Sequence, residues 1–244
     1  MPTENSSTTR CVLITGASSG IGKATAQAFA QAGFNVALVA RSADKLTEIA
    51  NELSASGVEA KAFPIDLLDL ASLKQNIAAV ESAFGAIDVL VNSAGMGYTG
   101  RLDEMALADW QKVMDLNVTS VFQVMQAVLP GMRQRSEGTI VNVASIAAQQ
   151  TFENWGAYGV SKAALVALSD AIRVEEAVHG IRIITISPGA VNTPIWDTDT
   201  VQADFDRSAM LDAQTVAQTI LHSVLLPSNA LVSSITLTPA GGAL

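Results

Sequence analysis

Seven apolar runs of strand length, spaced so that a helix fits between most of them, recur along this 244-residue chain and constrain its fold more than any other feature. They fall at 11–15, 35–40, 58–63, 87–91, 139–144, 181–186 and 232–238. The segments 21–32, 43–56, 69–84, 107–130, 157–178 and 213–226 carry apolar residues at helical spacing instead. Parallel strands need crossovers of that length, so the alternation predicts an α/β fold: a doubly wound parallel sheet with helices on both faces. The run Asn35-Val36-Ala37-Leu38-Val39-Ala40 is almost continuously apolar, as a strand covered on both sides requires.

A hydrophobic content of 49% fills one core at this length, so a single domain over 10–244 is expected behind a polar, disordered tail at 1–9. No run supplies the roughly 18 apolar residues of a membrane span, and the tail lacks a basic-then-apolar signal pattern. A cytoplasmic protein is expected, with no membrane partner. The net charge of −9 repels phosphate backbones, which argues against nucleic acid. Cys11 is the only cysteine and lies in an apolar run, so it reads as a buried structural thiol. His179 and His222 have no ligand-spaced companions, and no metal site is expected. The segments 107–130 and 157–178 are apolar on more than one face, which predicts a partner subunit and hence a homodimer or homotetramer.

The first strand run leads into Thr15-Gly16-Ala17-Ser18-Ser19-Gly20-Ile21-Gly22-Lys23, which opens the first helix. Glycines there let the backbone turn tightly and approach a pyrophosphate, and the free N–H groups of a helix start favour its charge. Gly16, Ser18, Ser19, Gly20, Ile21 and Gly22 are therefore candidate contacts to a dinucleotide. A carboxylate at the end of the second strand would bind the ribose 2′-hydroxyl of NAD. Here Ala40 and Arg41 stand in its place, and a guanidinium suits a 2′-phosphate, so NADP(H) is expected in preference to NAD(H). The bland alternative is a surface ion pair between Arg41 and Asp44. Gly16-Ala17-Ser18-Ser19-Gly20 also spells G-x-S-x-G, so a serine hydrolase using Ser18 is a competing reading; it would need His179 or His222 as base.

Tyr158 and Lys162 stand at i and i+4, on one face of a helix. A nearby cation stabilises a phenolate and draws its pKa from about 10 toward working pH. Ser145 ends the fifth strand run, which puts its hydroxyl at the carboxyl edge of the sheet, where open α/β sheets bind ligands. The bland alternative is a packed tyrosine and a solvated lysine.

These pieces are joined, in order, by Asp66, Asn92-Ser93-Ala94-Gly95, Asn117 and Pro188-Gly189-Ala190-Val191-Asn192-Thr193. With them the chain resembles the classical short-chain dehydrogenases/reductases, proteins of Rossmann type, over essentially its full length. The resemblance implies that Ser145 polarises a carbonyl, that Tyr158 is the general acid/base, and that Lys162 holds the nicotinamide ribose and lowers the tyrosine pKa. Asn117 would hold a water in a proton relay. Asp66 and Leu67 would contact adenine, while Asn92, Ala94 and Gly95 would line the cofactor and steady the central sheet. Pro188, Gly189, Val191 and Thr193 would meet the nicotinamide. Ser93 departs from the family's second asparagine, a change expected to alter packing rather than chemistry.

By the same resemblance a substrate lid spans about 194–211. It holds Asp197, Asp199, Asp204 and Asp206 against Arg207, which predicts a neutral or cationic carbonyl compound or alcohol unless the aspartates simply face solvent. Met96, Tyr98, Ile146, Trp155, Ile195 and Trp196 are the expected walls of an apolar pocket. Two further readings stand beside this one: a 3-oxoacyl-carrier-protein reductase, for which Arg133 and Arg135 would be the basic patch, and a non-catalytic NADP(H)-binding regulator.

Overall fold

The computed structural model describes residues 9–203 and 206–241; positions 1–8 of the expected tail and Asp204 of the lid lie outside the described residues. Seven strands form one sheet: β1 Cys11–Thr15, β2 Asn35–Ala40, β3 Ala60–Pro64, β4 Val89–Asn92, β5 Gly138–Val143, β6 Ile181–Pro188 and, last in the chain, β9 Ser234–Leu237. Their order is β3-β2-β1-β4-β5-β6-β9, and every pairing is parallel. The order reverses between β1 and β4, so the carboxyl ends of those strands open the crevice in which such sheets bind ligands.

The five inner strands bury both faces, while the edge strands β3 and β9 stay half-exposed. Val12 and Ile14 of β1 pack under α1 (Gly20–Gln31), α2 (Ala43–Ser54) and α7 (Ala213–Val224), together with Phe29, Leu46 and Ile220. Cys11 and Leu13 point the other way, toward α3 (Leu73–Phe84), α5 (Ser120–Arg135) and α6 (Gly156–Glu176), with Ile77, Met125 and Leu165. Each such fully buried aliphatic side chain stabilises the fold by about 2 kcal/mol. Burial pushes the Cys11 thiol up to about 12, so it stays protonated.

A polar row crosses the second face. Thr15, Asn92, Asn142 and Thr185 are register partners on successive strands. Asn92 Nδ2 donates to Asn142 Oδ1 at 2.8 Å, and Asn142 Nδ2 donates to Ser169 Oγ of α6 at 2.9 Å. A slip of one residue would put apolar chains opposite these amides, so the row fixes the register of the sheet's centre.

The single helical pattern expected at 107–130 is three pieces: α4 (Leu107–Met114), a π-helical turn at Asp115–Thr119, and α5, which runs on through Pro130. The end expected at Pro130 does not occur because Met132 is fully buried and Arg133 pairs with the buried Glu176 of α6. The helix expected from 69 begins at Leu73. The Asp66 and Asp69 carboxylates hold the preceding turns, accepting from Leu68 N at 3.0 Å and Ser72 Oγ at 2.6 Å. A two-residue ladder, β7 (Val191–Asn192) with β8 (Leu211–Asp212), closes the base of the lid and has no counterpart among the strand runs.

Candidate active site

At the crevice, Gly16 adopts φ +70°, and a Cβ on it would lie 2.8 Å from the backbone of Ala94. A Cβ on Gly22 would come within 2.3 Å of Gly16 O. The turn after β1 therefore folds against the turn after β4 with no side chain between them, an approach reinforced by Ala94 N donating to Thr15 Oγ1 at 3.2 Å. Ser19 occupies the N-cap position of α1 without capping it, which leaves the first N–H groups of that helix facing the crevice. Arg41 is exposed just beyond β2 and makes no ion pair among the described residues, Asp44 included. A glycine cradle, an uncapped helix start and an unpaired guanidinium at one edge fit a phosphorylated dinucleotide. Gly16, Ser18, Ser19, Gly20, Gly22 and Arg41 are the residues that would hold its phosphates.

Beside the cradle lies a cavity of about 140 Å³ lined by Ile21, Gly95, Ser145, Tyr158, Lys162 and Val191, among others. Ser145 follows β5 and caps a short turn, its Oγ accepting from Ala147 N at 3.1 Å. One turn into α6, Lys162 is buried and donates from Nζ to Val143 O at 2.9 Å; Nζ lies 5.7 Å from the centre of the Tyr158 ring. Burial draws this ammonium down from 10.5 to about 8. Burial also holds the Tyr158 phenol above its usual range, against a smaller lowering by the Ser145 hydroxyl. The lowered tyrosine pKa expected from the i, i+4 cation is thus not found in this geometry, because desolvation outweighs a cation that is itself bonded to Val143 O.

The π turn presents Asn117, which is fully buried. Its Oδ1 accepts from Met96 N at 2.9 Å, and its Nδ2 donates to Met96 O at 3.0 Å and to Ser161 Oγ at 2.9 Å. Ser161 Oγ in turn donates to Tyr158 O at 2.7 Å. A Cβ on Gly95 would lie 3.2 Å from Asn117 Oδ1 and 3.4 Å from Lys162 Nζ, so the two groups border one small space.

Trp155 stands edge-on to the Tyr158 ring at 5.3 Å and to Trp196 at 5.6 Å. The lid is tied across this row. Thr200 Oγ1 donates to Gly97 O at 2.8 Å, Thr99 N to Thr200 O at 2.9 Å, and Gln202 N to Thr99 Oγ1 at 2.7 Å.

Of the expected walls, Ile146, Trp155, Ile195 and Trp196 line the cavity, as do Pro188, Gly189 and Thr193. Met96 and Tyr98 do not: the Met96 backbone is clamped by Asn117, and the Tyr98 phenol donates to Asp109 Oδ2 at 3.3 Å. Asn92 turns into the sheet toward Asn142 rather than toward the cavity. Asp66 is exposed beyond β3, while Leu67 is buried in the core under α3. Phe152, Ala147 and Ala190 line the cavity without having been expected there. They occupy aperiodic loops, where only the neighbouring motifs could have hinted at them. None of the three lid aspartates among the described residues lines it: Asp197 pairs with Arg207 at 3.0 Å, Asp199 is exposed, and Asp206 turns back to accept from Ser208 N.

The hydrolase reading fails on topology. Ser18 follows β1 at the carboxyl edge of the sheet, whereas exposed His179 directly precedes β6 at the opposite edge, and exposed His222 lies in the last turn of α7, which runs back toward that edge. Neither can reach Ser18 as a base.

The family model for short chain dehydrogenases matches residues 10–204. An uncharacterized oxidoreductase of Staphylococcus epidermidis is 33% identical over 94% of this chain and 97% of its own length. Among solved structures, an alcohol dehydrogenase of the archaeon Thermococcus sibiricus complexed with 5-hydroxy-NADP superposes with a TM-score of 0.88 at 28% identity, covering 97% of this chain and 99% of that one. An actinorhodin polyketide ketoreductase with NADPH does so with a TM-score of 0.85 at 32% identity, covering 96% and 97%. The chain therefore belongs to the short-chain dehydrogenase family, as an oxidoreductase that acts between CH–OH and C=O groups.

Proposed function

We propose that this chain is a carbonyl reductase that uses NADP(H) in preference to NAD(H), with Tyr158 as its general acid and base. The observation that carries the reading is the meeting of Ser145, Tyr158 and Lys162 in one mostly apolar cavity, beside the glycine cradle.

A nicotinamide, when bound, supplies or accepts the hydride. Everything else falls to the chain. The Ser145 hydroxyl donates to the substrate carbonyl oxygen, stabilising the negative charge that grows there. The Tyr158 phenol, kept protonated by burial, gives its proton to that oxygen; in the reverse direction the phenolate takes it back. Lys162 lies close enough to favour the phenolate once charge develops. Asn117 clamps the turn carrying Met96 to α6 and so sets the position of Tyr158 through Ser161; its Oδ1 borders the space next to Lys162 Nζ where a relay water belongs. Arg41, free of any carboxylate, is the group that would favour a 2′-phosphate.

The carrier-protein reading loses support because its basic patch is engaged within the fold. Arg133 pairs with Glu176, and Arg135 donates to Ile87 O at 2.7 Å. Exposed Phe122 of α5 and Val160 of α6 support the homodimer or homotetramer, which light scattering on the purified protein checks.

Titration of the protein with NADPH and NADH by cofactor fluorescence, followed by absorbance assays on neutral ketones and aldehydes, tests the reading. The expected result is NADPH oxidation that falls roughly a thousandfold in kcat in Tyr158→Phe while NADPH still binds. Binding without any turnover would favour the regulator instead, and no binding of either nucleotide would overturn the assignment.

A further inference from the structure

We propose that the preferred substrate is a neutral ketone carrying a flat apolar ring on one side of its carbonyl, with Trp155 and Trp196 as the residues that select the ring. This deepens the reductase reading and rests on it.

The cavity has a polar corner and an aromatic length. Beyond Ser145, Tyr158 and Lys162, the lining includes Ile146, Ala147, Phe152, Trp155, Ile195 and Trp196. Trp155 is the middle of three rings in edge-on contact, and the first of the three is the catalytic phenol itself. A carbonyl held by the Tyr158 and Ser145 hydroxyls therefore places its larger substituent along that row. The Trp196 indole N–H donates to Val191 O at 2.8 Å, so this side chain offers the cavity its carbon edge and face rather than a donor.

Charge selects neutrality. Among the described residues Lys162 is the one charged side chain lining the cavity, and it would repel a cation. A carboxylate on the far side of the substrate would find no partner, since the nearest lid charges, Asp197 and Arg207, satisfy each other in solvent.

The row is also fixed before any ligand arrives. Trp155 packs over Gly97, where a Cβ would lie 3.4 Å from its Cζ3 and 2.7 Å from Val201 Cγ2, and the lid is hydrogen-bonded to Gly97 and Thr99. Rings that are already placed cost little entropy on binding. A planar ring gains edge-to-face contact with them and brings no rotors to freeze, whereas a linear chain of equal carbon count gains no such contact and must freeze its rotors.

The test compares kcat/KM with NADPH for acetophenone, cyclohexyl methyl ketone and 2-octanone, methyl ketones of matched carbon number, with 4-acetylbenzoate, whose carboxylate lies at the far end of the ring, as the charged analogue and 2,3-butanedione as a small ringless substrate. Acetophenone is expected to exceed 2-octanone by about tenfold, with cyclohexyl methyl ketone between them and 4-acetylbenzoate at least about tenfold below acetophenone. In Trp196→Leu the ratio of acetophenone to 2-octanone should fall to within about twofold of unity, and Trp196→Phe should retain part of it. Equal or better turnover of 2-octanone by the wild type would overturn the ring preference while leaving the reductase reading standing, and so would a ratio unchanged in Trp196→Leu. Failure on every ketone and on 2,3-butanedione, despite NADPH binding, would remove the reductase reading and this inference together.

Discussion

The two sides of Tyr158 are made of different material. On the cofactor side the surface is backbone: Gly16 and Gly22 lie where a Cβ would strike main-chain atoms, and Gly95 leaves room beside Asn117 and Lys162. On the substrate side it is side chain: Phe152, Trp155, Ile195 and Trp196, carried by a loop and a lid. A backbone wall cannot be re-tailored without moving the sheet, while a side-chain wall changes with a single codon. The difference separates a wall fixed by the fold from one that single substitutions can reshape.

Lys162 stands on the boundary and gives the largest effect with which to test that division. The native lysine loses its proton near pH 8, the unfolded one near 10.5. Below the lower value both states are charged, and the full cost of burying the ammonium is present. Between the two values the unfolded state binds more protons, so stability rises with pH, by about 3 kcal/mol across the interval. Chemical unfolding of wild type and Lys162→Met at successive pH values should show this rise in the wild type alone. A difference between the two proteins that stays flat with pH would mean that Lys162 is far better solvated than its burial implies.

Gly22→Ala attacks the backbone side directly. The added methyl would sit 2.3 Å from Gly16 O, and neither chain segment can yield without opening the contact with Ala94. NADPH affinity should fall by about a hundredfold, with a lower melting temperature. An affinity within threefold of wild type would show that the cradle is softer than a backbone wall should be.

Arg41→Ala probes a cofactor-side contact that a side chain rather than backbone would make. NADPH should bind about tenfold more weakly while NADH binding hardly changes, since only the 2′-phosphate distinguishes them. Equal loss for both nucleotides would assign Arg41 to the shared pyrophosphate or adenosine and remove the basis for the NADP preference.

The same division explains what could be read in advance. The cradle was legible because its constraint is local: residues without Cβ, at fixed spacing, between a strand and a helix. Tyr158 and Lys162 were legible because the helical period puts i and i+4 on one face. The π turn was not, since a single apolar pattern runs through 107–130 and the pattern does not register one extra residue per turn. Phe152 and Ala147 were invisible for a related reason, lying in aperiodic loops whose course is set by contacts distant in sequence. The resemblance gives Asn92 to the cofactor and the central sheet and Met96 to the pocket wall; Asn92 bonds Asn142 within the sheet, and the Met96 backbone is held by the buried amide of Asn117. Which way a residue beside a site turns depends on hydrogen-bond partners dozens of positions away.

Gly97→Ala should have the smallest effect, and its smallness is informative. The new methyl would meet Val201 Cγ2 at 2.7 Å on a stiff, buried side chain, whereas the Trp155 and Ile195 contacts at 3.4 and 3.5 Å are ordinary. The lid therefore has to rise slightly at Val201 while Thr200 keeps its bond to Gly97 O. KM for a ring-bearing ketone should increase about threefold with kcat nearly unchanged, because the methyl loosens the aromatic wall without touching Ser145, Tyr158 or Lys162. A fall in kcat of tenfold or more would mean that the lid contact reaches the proton-transfer geometry, and the side-chain wall would then be no more adaptable than the backbone wall opposite it.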